Sequence, residues 1–268
     1  MKKYGIMQGR LLPKFKNKYQ AHPIGKWEDE FDLAEKLNLN YIEFIFDYEL
    51  YSYNPLLKNL SYLKDFISKK KVKIKSICAD FFMEAPIQNA DNEELKIYGD
   101  LIEKLINNLN FLGGETIVIP FVDNSSINSE IQKKTIVKFL NEFSSLCKEK
   151  KITLAIESDL EPLQLINFID LFKNDNIKIN YDSGNSASLG YKFDEEMYLY
   201  KGRISNIHIK DRIFNGGPVI LGNGDANLRK LKSFIEESNY KDLIIFQAYR
   251  DQEGIEIFKK QFNYFLSL

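Results

Sequence analysis

Only two histidines, His22 and His208, occur among the 268 residues, so no site needing three or more imidazole ligands can be built from one chain. Cysteine is equally scarce: Cys78 and Cys147 are too few for a disulfide framework and read as buried thiols of a cytoplasmic protein. No apolar run approaches the about 18 residues that suggest a membrane-spanning helix. The first ten residues carry two lysines but no apolar run of about 7–15 residues, which predicts no signal peptide. An excess of one charge is also missing. With 37 basic and 38 acidic residues the net charge is −1, without the basic surplus of a general nucleic-acid binder. No low-complexity or Pro/Gly/Ser-rich stretch divides the chain, so a single domain over residues 1–268 is expected.

What recurs instead is a short apolar, β-branched run followed by a longer segment of helical periodicity. The runs are Tyr4–Gln8, Tyr41–Phe46, Lys73–Ala79, Thr116–Phe121, Ile152–Glu157, Ile177–Asp182, Ile204–Lys210 and Leu243–Gln247. Amphipathic stretches predict helices at Trp27–Leu37, Leu56–Lys69, Leu95–Leu112, Ile131–Lys150, Leu163–Phe172 and Leu228–Ser238. Eight such units average roughly 33 residues each, which suits an α/β fold of the (β/α)₈ TIM-barrel type, typically about 250 residues long. A doubly wound open sheet would want a glycine-rich turn after its first strand. Gln8-Gly9-Arg10 is no such fingerprint.

In a (β/α)₈ barrel the chemistry sits at the C-terminal ends of the strands. Those positions hold Gln8 and Arg10, Glu43 and Asp47, Asp80, Asp123 and Asn124, then Glu157 and Asp159. The remaining strands contribute Asp182 and Asn185, His208, Lys210 and Asp211, and Gln247 and Arg250. Alternation along the strands turns Glu157, Asp182 and His208 to the barrel side of three consecutive strands. Two carboxylates and one imidazole at one mouth suit Mn²⁺, Mg²⁺ or a catalytic Zn²⁺ with open positions. Each residue also has a plainer reading: Glu157 as a loop cap, Asp182 in Asp-Ser-Gly-Asn as a turn carboxylate, His208 as a satisfied core histidine. The metal reading rests on their coincidence at one phase.

At these residues the chain resembles the xylose-isomerase-like TIM-barrel superfamily of sugar and sugar-phosphate isomerases and epimerases. The carriers are Leu-Ala-Ile-Glu157, Asn-Tyr-Asp182-Ser-Gly-Asn185, Ile-His208-Ile-Lys210-Asp211 and the loop Leu-Gly222-Asn-Gly224-Asp225. Met7-Gln8-Gly9-Arg10-Leu11 and Cys78-Ala79-Asp80 resemble a bacterial subgroup of it. The resemblance implies a divalent metal held by Glu157, Asp182, His208 and an eighth-strand residue, which matches Gln247 where the family expects glutamate. Its epimerases use two metal-bound glutamates, one on each face of the substrate. Gln247 offers a carbonyl oxygen to a metal but accepts no proton, so Glu157 alone is expected to serve as base, which suffices for a 1,2 aldose–ketose isomerisation. The apurinic endonucleases of the superfamily need a histidine-rich trinuclear zinc site. Two histidines, and Asn185 where their pattern wants an imidazole, exclude that activity.

The substrate-side candidates are Gln8, Arg10, Glu43, Asp80, Asn185, Lys210, Arg212 and Arg250. Lys210, Arg212 and Arg250 flank the loops Gly216-Gly217 and Gly222-Asn-Gly224, where barrels often bind phosphate. Phe81, Phe82, Phe121 and Tyr249 lie near strand ends as core or pocket wall, and His22, before Pro23, reads as a surface residue. The expectation is thus a cytoplasmic, metal-dependent isomerase or epimerase of a sugar or sugar phosphate, working through an enediolate. Its partner is the small-molecule sugar, with neither nucleic acid nor membrane, and a homo-oligomer is compatible with the chain. Two alternatives stand beside it: a non-catalytic carbohydrate-binding barrel, and a metal-dependent lyase or dehydratase of the same superfamily.

Overall fold

The computed structural model describes residues 2–238 and 240–268. β1 (Gly5–Met7) leads through a long loop to α1 (Trp27–Lys36), β2 (Tyr41–Ile45), α2 (Pro55–Lys58) and α3 (Leu60–Ser68). β3 (Lys73–Cys78), α4 (Phe81–Glu84), α5 (Asn92–Leu112), β4 (Thr116–Phe121), α6 (Glu130–Asn141) and α7 (Ser144–Lys150) follow. Then come β5 (Thr153–Ser158), α8 (Pro162–Ile169), β6 (Ile177–Asp182), α9 (Ser183–Leu189) and α10 (Phe193–Tyr200). The chain ends with β7 (Ile204–Ile209), α11 (Leu228–Glu237), β8 (Leu243–Phe246) and α12 (Ile255–Ser267). The strands pair in parallel in chain order and β8 returns to β1, closing an eight-stranded (β/α)₈ barrel.

Strand alternation divides the core. Ile6, Phe44, Ile77, Ile119, Ile156, Ile207 and Phe246 face the helices in one large apolar cluster. Met7, Ile45, Cys78, Val118, Ala155 and Ile245 form a separate, smaller cluster that fills the barrel interior. Side chains two residues further along the same inward phase stand at the C-terminal mouth. That step takes Cys78 to Asp80, Ala155 to Glu157 and Ile245 to Gln247.

Two long amphipathic stretches are each divided into two helices. Leu56–Lys69 splits at Asn59, whose side chain accepts the Tyr62 N–H and caps α3. Ile131–Lys150 divides between Asn141 and Ser144, and the Asn141 side chain accepts a hydrogen bond from the Asn174 amide. α5 carries the whole 21-residue pattern because Asp91 and Glu94 form a reciprocal capping box and Gly113, at φ 88°, ends it. Helices α4, α9, α10 and α12 lie outside the segments expected from periodicity.

Candidate metal centre and active site

Register brings the first three candidate ligands together. Asp182 pairs directly with His208, and Glu157 follows Ile156, which pairs with Ile179, so Glu157 lies beside Asn180. One ligand atom from each of Glu157, Asp182 and His208 lies within 4.8 Å of the others, and all three residues are buried. His208 Nδ1 is 3.3 Å from Glu157 Oε2 and 3.9 Å from Asp182 Oδ2. The opposite ring nitrogen, Nε2, donates to Glu43 Oε1 across the barrel at 2.7 Å, and the Asn206 amide donates to Glu43 Oε2 at 2.9 Å. A carboxylate behind the imidazole orients the ring, fixes Nδ1 toward the mouth and raises its basicity. Burial alone would push this imidazole down, but the charges of Glu43 and Glu157 outweigh it and hold His208 up at about 10.

Asp182 serves two purposes. Its Oδ1 accepts the N–H groups of Gly184 and Asn185, each at 2.8 Å, and caps the short α9. Its Oδ2 stays on the mouth side, 3.4 Å from Lys210 Nζ. The turn-carboxylate and ligand readings of this residue are therefore compatible. Gly184 lets Lys210 pass: a Cβ there would stand 2.6 Å from Lys210 Cγ. Glu157 is held at both oxygens, Oε1 accepting from the Asn185 amide at 2.7 Å and Oε2 from Asn180 at 2.9 Å. Asn185 Oδ1 is itself fixed by Lys210 Nζ at 3.1 Å and Arg212 Nη1 at 3.0 Å.

Glu157, Asn185, Lys210 and Gln247 share a pocket of about 570 Å³ with Asp80, Gln20 and residues of the loops after β1 to β4. Gln247 donates from Nε2 to Gln20 Oε1 at 3.0 Å, while its Oε1 is buried with no hydrogen-bond partner. A buried carbonyl oxygen without a donor is costly in an all-protein setting. Two carboxylates, one imidazole and an unpartnered amide oxygen form a donor set that a divalent cation would satisfy, so the residues fit a metal.

The other sequence candidates separate into pocket and scaffold. Asp80, Asn185 and Lys210 line the pocket. Glu43 lies beneath it, fully buried as the partner of His208. Gln8 Oε1 accepts from Ile45 N–H at 3.0 Å and bonds His22 Nδ1 at 2.9 Å, which holds β1, β2 and the first loop together. Arg10 donates to Tyr19 O and Gln20 Oε1, each at 2.8 Å. Arg250 is fully buried and donates to the carbonyls of Leu12 and Pro13. Between these arginines Glu30 of α1 accepts the N–H groups of Gly9 and Leu11, and burial pushes its carboxyl up to about 7. Burial, and then repulsion from Arg10, lower Arg250 to about 10.

In the glycine-containing loops the N–H of Asn223 bonds Ile220 O and that of Gly216 bonds Ile213 O. The N–H groups of Gly222, Gly224 and Ala226 all bond the Asp211 carboxylate, and Arg212 Nε donates to Gly216 O. His22 corrects the surface reading: it is 2% exposed, its ring packed on Phe44, and burial lowers it to about 3. Phe81, Phe82 and Phe121 belong to the helix-side core, while Tyr19, Tyr48 and Met83 line the pocket instead. Gln20 had no signal in the sequence, since its loop carries no periodicity or motif.

Comparison with known proteins agrees with this architecture. Residues 31–268 match the family model of the xylose isomerase-like TIM barrel. Inosose dehydratases of two Clostridium perfringens strains are 21% identical over 179 residues, 53% of this chain and 60% of theirs. The matched region thus spans well under two thirds of those relatives' length. The IolI protein, solved with a bound zinc atom, superposes with a TM-score of 0.73 at 20% identity, over 90% of this chain and 92% of that one. The 3-keto-D-glucoside 4-epimerase YcjR of E. coli superposes with a TM-score of 0.74 at 13% identity, over 99% of both chains. These solved structures share the fold. Family match, closed barrel and mouth geometry together place the chain in the xylose isomerase-like TIM barrel family.

Proposed function

We propose that this protein is a divalent-metal-dependent isomerase or epimerase of unphosphorylated sugars or cyclic polyols bearing a ketone. The observation that carries the reading is the Glu157–Asp182–His208 cluster, within 4.8 Å and opening into a pocket of about 570 Å³. That volume falls in the range of small-molecule sites, which favours a ligand-binding mouth over a purely structural barrel. A bound divalent ion would polarise the substrate carbonyl and the neighbouring hydroxyl, which acidifies the carbon–hydrogen bond beside them. The IolI structure with its zinc atom supports Zn²⁺ as the ion to test first, with Mn²⁺ and Mg²⁺ next.

Within this reading Glu157 is the base. Its Oε2 lies on the His208 side, and its Oε1, presented by Asn185, takes the proton from the carbon beside the carbonyl. Asp182, His208, the Oε2 of Glu157 and the carbonyl of Gln247 would hold the ion. Lys210 stands beside Asp182 and Asn185, where it positions a substrate oxygen.

Charge supports a neutral substrate. Among the described residues lining the pocket six are acidic and only Lys18 and Lys210 are cationic. Lys18 is paired with Glu49, and Lys210 with Asp182. A phosphate dianion would meet uncompensated carboxylates, a juxtaposition that costs several kcal/mol. The zinc-loaded protein is therefore expected to exchange deuterium from D₂O into free ketoses, D-fructose, L-ribulose or an inosose, beside the carbonyl. Phosphate esters of the same ketoses should react at least about 100-fold less efficiently. Exchange confined to the phosphate esters would overturn the substrate class. No exchange into any of these compounds would overturn the reading itself.

A dehydratase is the second reading. It draws support from the similarity to inosose dehydratases and from a second carboxyl, Asp80, in the same pocket.

A further inference from the structure

We propose that Asp80 is the second acid–base residue of this pocket, returning a proton to the carbon that Glu157 deprotonates and so replacing the carboxylate absent at position 247. This rests on the reading of Glu157 as base at a metal-dependent site.

The side chain is placed for chemistry rather than for structure. Asp80 occupies the position before α4 where an aspartate ordinarily caps the helix, yet its carboxylate makes no capping bond. Asp182, in the corresponding position before α9, does cap. The Asp80 oxygens instead turn to the pocket region. Oδ2 accepts from Gln20 Nε2 at 2.6 Å and Oδ1 from the Cys78 thiol at 3.1 Å. Gln20 Oε1 in turn accepts from Gln247 Nε2 at 3.0 Å and from Arg10 Nη2 at 2.8 Å. A continuous chain of hydrogen bonds therefore joins Asp80 to the residue that stands where the family pattern expects the second glutamate. Both Asp80 and Glu157 line the same pocket, reached from β3 and from β5.

The surroundings raise the Asp80 carboxyl toward the neutral range, where a carboxyl can both give and take a proton. Burial raises Asp80 to about 6, the charges of Glu157 and Asp47 add to the rise, and the donors Gln20 and Cys78 oppose it. Lys18, the nearby pocket cation, is engaged by Glu49. Cys78 stays a thiol, pushed up by burial and then by the Asp80 charge, and so remains a donor.

The proton count closes without a redox partner. Glu157 removes a proton from the carbon beside the carbonyl, and the bonding pair passes into the enediol. Asp80, as the acid, delivers its own proton to that carbon from its side, and the pair returns to a carbon–hydrogen bond. Glu157 then loses its proton to solvent and Asp80 regains one. The net change is inversion at one carbon, and the reverse reaction exchanges the two roles. With Asp80 in place, Gln247 does not confine the protein to one-face isomerisation.

The test compares wild type, Asp80→Asn and Glu157→Gln, each zinc-loaded, with D-fructose, L-ribulose and an inosose in D₂O. A parallel carboxyl titration is followed by infrared spectroscopy in the zinc-free and zinc-loaded proteins. Asp80→Asn is expected to bind zinc within about threefold of wild type, which also reports that it folds. It should lower inversion by about 10²–10⁴-fold while deuterium exchange on the Glu157 side falls less than tenfold. A carboxyl titrating near pH 6 in the zinc-free protein should vanish in Asp80→Asn, and should titrate higher in Gln20→Ala, which removes a donor that lowers it. Inversion by Asp80→Asn at the wild-type rate overturns the proposal, as does the absence of any titration that the substitution removes. A wild-type protein that exchanges no deuterium, or a Glu157→Gln protein that exchanges normally, counts against the underlying reading of Glu157. The titration then decides separately whether Asp80 carries the proton.

Discussion

Glu157→Gln is expected to lower turnover of a free ketose by about 10²–10⁴-fold at saturating zinc, the usual contribution of a positioned general base. An amide has nearly the shape of the carboxylate but accepts no proton near neutral pH. Glu157 is also held by two amide donors, Asn185 on one oxygen and Asn180 on the other. A glutamine can present its carbonyl to only one of them and must turn its NH₂ group toward the other. The substitution should therefore weaken zinc binding as well, and saturating metal separates the two effects. Loss of turnover that is restored merely by raising zinc would assign Glu157 to the ligand set alone. A rate within tenfold of wild type at saturation would remove it as the base.

Metal removal is expected to abolish turnover outright, with recovery on adding back Zn²⁺ or Mn²⁺. The affinity should depend on a residue that never touches the ion. Glu43 accepts from His208 Nε2 and from Asn206, and Glu43→Gln should cost about 10–100-fold in zinc affinity, as loss of such an outer partner commonly does. The pH dependence has a definite sign. Without a cation His208 is held up at about 10, so binding at Nδ1 displaces a proton. Affinity should rise with pH through the neutral range, with about one proton released per ion in calorimetry in two buffers. Affinity that falls as pH rises from 6 to 9 would place the ion elsewhere.

The barrel was legible because strand alternation has a fixed period of two, and that same period sets side-chain direction at the mouth. Reading Thr153, Ala155 and Glu157 as one face locates Glu157 over the interior residue Ala155, and the register then sets Asp182 beside His208. What the sequence did not reveal lies in side chains whose partners are distant along the chain. His208 and Glu43 are 165 positions apart, so the sequence alone places the carboxylate behind the imidazole among the substrate contacts. Arg10 and Arg250 stand on loops near strand ends, where a buried structural cation and a ligand-binding one look alike in sequence. Their environment is decided by Glu30 of α1 and by the carbonyls of Leu12, Pro13 and Tyr19. The loop from Gly222 to Gly224 has the composition of a phosphate cradle, yet its N–H groups are spent on the Asp211 carboxylate and on Ile220 O. Gln20 sits in an irregular loop, and only the folded chain shows that it links Asp80 to Gln247.

The central claim, a divalent-metal site at the mouth of the barrel, is tested most directly by anomalous scattering from a zinc-soaked crystal. The expected result is one strong peak per chain between Glu157, Asp182 and His208, at about 2.0–2.2 Å from Nδ1 and from a carboxylate oxygen of each acid. The Gln247 carbonyl should stand as a further ligand, or be joined to the ion through water. Zinc bound only elsewhere on the chain, or no peak between these three side chains at saturating metal, would contradict it.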